Sequence, residues 1–221
     1  MNTINLAVTL QFLNDLRDNN NKAWFDQNRT HYEQVKTSFE QFVTLLIAEL
    51  SASDDMTEVA AKDCIFRINR DVRFSKDKSP YKTGMGASIA PGGKKSNKLG
   101  YYLHLEPHGA SMAAGGLYMP TGEQLGKFRQ AIDRKPEVFK AIIATPAFVH
   151  AFGTVAGDKL VTAPQGYSRT HPEIDLLQLK QVIVMRHFTD EEVTSSTFGA
   201  QVLDVFRAMK PFLDYLNRII E

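Results

Sequence analysis

The spacing of apolar positions along this chain changes period between its two ends and its middle. Leu10, Leu13 and Leu16 recur at helical spacing, as one face of a helix requires. Asp18-Asn19-Asn20-Asn21 interrupts them. Asn20 or Asn21 can cap a second helix, because a short side-chain oxygen takes up free N–H groups of a first turn. The next run carries Trp24, Phe25, Asn28 and Tyr32 and continues through Val35, Phe39, Phe42, Val43, Leu46, Ile47 and Leu50. Residues 51–55 read as a loop. The period then falls to two. Phe66, Ile68, Val72 and Phe74 alternate with Arg67, Asn69, Asp71 and Arg73, which predicts a strand with one apolar and one charged face. Arg70 falls on the apolar side and needs a partner there.

Residues 85–90, 99–106, 111–118 and 181–188 read as further strands, the first three separated by turn-rich segments at 91–98 and 107–109. Helical signals return over 123–134 and 136–144, with Pro136 suited to a first turn. Residues 153–168 are irregular. A last helix is predicted over 196–220, and Pro211 should kink or split it. The expected fold is α+β: an antiparallel sheet of about five strands packed by N-terminal and C-terminal helices. The 221 residues are expected to form a single domain.

Composition narrows the function classes. The net charge of +1 argues against a general nucleic-acid coat, so any basic surface must be local. Cys64 is the one cysteine, which excludes an intramolecular disulfide and suits a reduced core thiol. No apolar run approaches a membrane span, and the first residues lack the pattern of a secretory signal. The cytoplasm is the default expectation, with no membrane partner.

The chemistry concentrates in residues 67–83, where six cations and two carboxylates follow the apolar run Cys64-Ile65-Phe66. Arginine presents a planar fork of donors that matches two oxygens of a carboxylate or phosphate. Arg67, Arg73, Lys78 and Lys82 could converge on one oxyanion, with Ser75 and Thr83 adding hydroxyls and Tyr81 closing the pocket. Asp71 and Asp77 would orient the cations, or one would act as a general base. The alternative is an ion-pair lattice that only holds the loop. Both readings stay open at this point. The first makes the chain a binding or enzymatic domain for a phosphorylated or carboxylated ligand. The second makes it a non-enzymatic interaction module. An anionic small molecule is the expected partner, nucleic acid is not favoured, and no cofactor or reaction is assigned.

Other motifs change this picture little. His104, Glu106 and His108 would share one face of a strand, in the residue types of a metal site. Pro107 and Gly109 mark a turn that throws His108 off that row, so no metal is assigned and His104 reads as a polar strand end. Gly92-Gly93-Lys94-Lys95-Ser96 lacks the spacing of a phosphate-binding loop and reads as a hairpin tip. Trp24 and Phe25 are adjacent, so both cannot face squarely inward.

Several motifs are shared with a known family. Asn20-Asn21-Lys22-x-Trp24-Phe25-x-x-Asn28-Arg29-x-x-Tyr32, the 67–83 block, Gly115-Gly116-Leu117-Tyr118-x-Pro120, Pro164-x-Gly166-Tyr167 and His171-Pro172 are the matching stretches. Together they resemble the conserved hypothetical proteins of domain of unknown function 2461, over about residues 9–220. The resemblance implies membership and a single domain. It implies no activity, substrate or cofactor. Arg29, His104 and Tyr167 are candidates to join the basic cluster in space.

Overall fold

The computed structural model describes Ile4 and residues 6–221. Three helices open the chain: α1 (Ala7–Asp18), α2 (Lys22–Gln27) and α3 (Arg29–Leu50). The Asn21 side chain accepts from the Trp24 N–H and caps α2, one of the two caps expected. A short α4 (Ala61–Cys64) precedes an irregular segment, then β1 (Met85–Ile89), a 3-10 turn (Gly93–Lys95), β2 (Tyr101–Leu105) and β3 (Ser111–Leu117). Helices α5 (Gly122–Arg134), α6 (Pro136–Ile143), α7 (Pro146–Phe152) and α8 (Ile174–Leu177) follow. Then come β4 (Val182–Phe188), α9 (Asp190–Thr194) and α10 (Phe198–Ile220). The sheet has the order β1-β2-β3-β4, and β1 and β2 pair antiparallel, with Gly86 opposite His104 and Ala87 opposite Leu103. The fold is α+β with an antiparallel sheet, as expected, but with four strands and not five.

The missing strand is the alternating segment around 66–74. Ile65 makes a single bridge to Ala87, and Asn69 a single bridge to Tyr81. In the loop that the second bridge closes, the segment's own side chains hold the backbone. Asp71 Oδ1 accepts from the Arg73 N–H at 3.3 Å, and Asp77 Oδ1 accepts from the Ser79 N–H at 2.9 Å. Lys78 Nζ donates to the Val72 carbonyl at 2.9 Å. Short polar side chains that bind nearby backbone groups compete with a ladder, and Pro80 has no N–H to give one. Phe74, expected on a buried face, is 96% exposed.

The chain divides into two compact units. In the first, residues 4 and 6–97 with 101–113 and 187–204, the core joins α1 and α3 through Phe12, Leu13, Leu16, Phe39 and Val43. Phe25, inward from α2, stacks on Tyr81 with ring centroids 4.0 Å apart, and Trp24 packs against Phe12 at 5.8 Å. In the second unit, residues 98–100, 114–186 and 205–221, Phe139 meets Phe128 at 5.4 Å and Phe212 at 5.9 Å. Pro136 and Pro146 each sit in a first helical turn, where a missing N–H costs nothing. Pro211 lies inside α10, which is one helix and is not split.

Candidate functional site

Strand β2 alternates strictly. Tyr101, Leu103 and Leu105 are buried, while Tyr102 and His104 lie on the other face with Glu106 just beyond the strand end. That face is not open solvent, because Gly86 of β1 and Gly84 just before it lie against it. A Cβ on Gly84 would stand 2.6 Å from the His104 ring, and one on Gly86 would stand 2.7 Å from the Tyr102 hydroxyl. The two side chains therefore lie flat across β1, where any larger residue would displace them.

His104 and Glu106 form the centre of a hydrogen-bonded chain. His104 Nε2 lies 2.9 Å from Glu106 Oε2, and Tyr102 Oη lies 3.2 Å from His104 Nδ1. Thr83 donates to Glu106 Oε1 at 2.8 Å, and Arg17, in the last turn of α1, reaches the same oxygen at 3.1 Å. Burial pushes the Glu106 carboxyl up, but the His104 and Thr83 hydrogen bonds and the charges of His104 and Arg17 outweigh it and hold the group below its usual range. An ionised carboxylate only accepts, so His104 donates to Glu106 from Nε2, with the Tyr102 hydroxyl within hydrogen-bond distance of its other ring nitrogen. Buried Ser111 clamps the backbone below: its hydroxyl accepts from the Glu106 N–H at 3.0 Å and donates to the Glu106 carbonyl at 2.9 Å.

A cavity of about 370 Å³ opens over this group. Its other walls bring Arg70, Asp77, Ser79, Tyr81, Lys82 and Asn20. Asn20 supplies a side-chain amide that binds Tyr81 as a strand would, donating to its carbonyl at 3.0 Å and accepting from its N–H at 3.1 Å. Arg70 finds the partner that its position demanded: Nη1 pairs with Asp77 at 2.5 Å and also donates to the Ser79 carbonyl at 3.1 Å. The Asp77 carboxyl is drawn down to about 2, first by hydrogen bonds from the Ser79 hydroxyl and N–H and then by Arg70. Arg17 and Arg70 are thus each neutralised by a carboxylate. Lys82 is not. Its ammonium lies 5.5 Å from the centroid of the Phe66 ring, and burial, then the charge of Arg67, lowers its pKa.

The residues expected to converge are spread out. Asp77, Tyr81, Lys82 and Thr83 line this cavity. Arg73 turns to Asp71, two residues away, and its side chain is 76% exposed. Ser75 accepts a long bond from Arg70 at 3.4 Å, and Lys78 holds the loop backbone. Arg67 lines a second cavity of about 730 Å³, which touches the first at Gly84. Arg29 stays on α3, paired with Asp26 and 5.7 Å from the Phe25 ring centroid. Tyr167 belongs to the second unit, edge-on to His171. His108 takes a left-handed backbone with φ 67° and bonds Asn14, off the His104–Glu106 row. Among the described residues no three His, Cys, Asp or Glu side chains are grouped to hold a metal ion. Arg17 and Asn20 were not expected in the site at all. Each reaches it from a helix boundary distant in sequence, and no local pattern marks such a residue.

No described helix is long and apolar enough to cross a membrane. The family model DUF2461, described as a conserved hypothetical protein, matches residues 8–215. No curated protein and no solved structure matches the chain.

Proposed function

We propose, for a chain that belongs to the DUF2461 family of conserved hypothetical proteins, that it binds a phosphorylated or carboxylated small molecule in the cavity over His104 and Glu106. The support is Lys82, a half-buried cation with no ion pair among the described residues, in a cavity whose two arginines are already matched by carboxylates. An ammonium kept from water beside a second cation is destabilised until an anion joins it. In this reading Lys82 holds the anion, Asn20 adds a neutral polar group, Tyr81 forms the wall, and Thr83 holds Glu106 in place. Asp77 keeps Arg70 in place, because a carboxyl with pKa about 2 is a poor proton acceptor near neutrality. Asp71 does the same for Arg73 outside the cavity. The Tyr102–His104–Glu106 chain puts a proton-handling group next to the bound anion. The compartment assumed is the cytoplasm.

Thermal melting with inorganic phosphate and with a dicarboxylate, for wild type and Lys82→Ala, tests the reading. A ligand at about 100 times its dissociation constant stabilises by about 2.7 kcal/mol. Stabilisation of wild type that disappears in a folded Lys82→Ala supports the site. Equal responses in both proteins remove it.

A second reading, a non-enzymatic interaction module, is favoured by one feature. The Asp71–Arg73 and Arg70–Asp77 pairs build a loop whose Phe74 ring is 96% exposed. A loop that side chains hold together while it presents a bare aromatic ring suits contact with another macromolecule.

A further inference from the structure

The second cavity goes beyond that proposal and does not depend on it. Its volume is about 730 Å³, within the range of roughly 300–1,000 Å³ typical of small-molecule sites. Tyr32, Lys36 and Glu40 face it from α3, spaced four residues apart on one helix face. Lys62 comes from α4, Arg67 from the irregular segment, and Lys94 and Lys95 from the 3-10 turn between β1 and β2. Five cations therefore face one carboxylate, in a chain whose net charge is only +1. Lys36 pairs with Glu33 at 3.6 Å. Lys94 is fixed by the carbonyls of Lys62 and Asp63, each at 3.1 Å. Lys62, Arg67 and Lys95 make no ion pair among the described residues.

Apart from Asn69 and Gly84, the rest of the lining is apolar. Phe66 is 38% exposed within it, and Ile65, Ile68 and Met85 lie alongside. A bare phosphate has no use for an exposed phenyl ring and an aliphatic wall, and an apolar ligand gains nothing from five cations. Both halves are used by a flat aromatic body that carries several negative charges. Bases stack on aromatic side chains whatever their identity, and lysine and arginine clusters bind phosphate by charge-assisted hydrogen bonds. We infer that the cavity between α3, α4 and the 3-10 turn binds a nucleoside phosphate, with its base on Phe66 and its phosphates among Lys62, Arg67 and Lys95.

Titration calorimetry with adenosine diphosphate, inorganic pyrophosphate, adenosine and a short single-stranded oligonucleotide tests this. The proteins are wild type, Lys62→Glu, Lys95→Glu and Phe66→Ala, each first shown to melt as wild type does. Adenosine diphosphate should bind wild type more tightly than pyrophosphate or adenosine does. Either charge reversal should weaken it tenfold or more. Phe66→Ala should weaken the diphosphate and leave pyrophosphate unchanged. The inference fails if the diphosphate binds no better than pyrophosphate, if neither charge reversal alters it, or if only the oligonucleotide binds. The phosphate response lost in Lys82→Ala is a separate readout. A failure here with that response intact overturns the nucleoside phosphate alone.

Discussion

Strand β1 has two neighbours that look alike in sequence and differ in the fold. On one side β2 pairs with it over five consecutive positions, from Met85–Leu105 to Ile89–Tyr101. On the other, the 65–84 segment meets it through one bridge, Ile65 to Ala87, and one backbone bond, Phe66 N–H to the Gly86 carbonyl at 2.9 Å. Both neighbours alternate apolar and polar residues. In β2 the apolar set is fully buried and the polar set, Tyr102 and His104, hydrogen-bonds side chain to side chain. In the segment the polar set includes Asp71, and Asp77 follows nearby. Their oxygens reach the backbone two residues on and replace the ladder. Alternation makes a strand only where the polar side chains leave the backbone alone. The two regions also divide the labour at the cavity: β2 supplies a rigid wall with His104, and the segment supplies cations on a side-chain-braced loop.

The largest test of that contrast is in the cores of the two regions. Leu103→Ala, at a position with no exposure, should cost about 2–5 kcal/mol in urea unfolding. Phe74→Ala, the same alternation on the other side, should stay within about 0.5 kcal/mol. Comparable losses would mean that the segment packs as a true strand. Next is the clamp under the cavity. Ser111→Ala removes both partners from the Glu106 backbone and should cost about 1–3 kcal/mol for a polar group left unmatched, seen as a lower denaturation midpoint. The smallest effect lies in the loop. The Asp77 carboxyl falls from an ordinary 3.8 to about 2 in the fold. A depressed native value stabilises above the unfolded value, and that contribution fades as pH falls. Melting of wild type should therefore drop faster than that of Asp77→Asn between about pH 4 and pH 2, the window those two values set. Parallel curves would show that the Arg70–Asp77 pair does not brace the loop.

Much of the scaffold was readable before any coordinates. The helical opening, the Asn21 cap, the four strands near 85–90, 99–106, 111–118 and 181–188, and the two helices on either side of Lys135 all follow from period and punctuation, whereas the break at Asn28 that divides the second expected helix into α2 and α3 does not. α7 went unread, although Thr145 caps it and Pro146 opens it, because its seven residues are too few to show a period. The need of Arg70 for a partner was also legible, as was the turn that removes His108 from the strand row.

By itself the sequence determined the helical ends, the antiparallel centre and the local density of charge. Those properties are written in spacings of two to four residues, and backbone geometry converts them directly into faces. Only the tertiary structure decided which cations gather and which are already matched. Arg17 meets Glu106 across 89 residues, and Asn20 meets Tyr81 across 61. Arg73, at the centre of the densest motif, spends its charge on the nearest carboxylate instead. A periodic pattern says which way a side chain points from its own element. Whether its charge is compensated depends on what the rest of the chain brings within about 4 Å of it, and no local spacing encodes that.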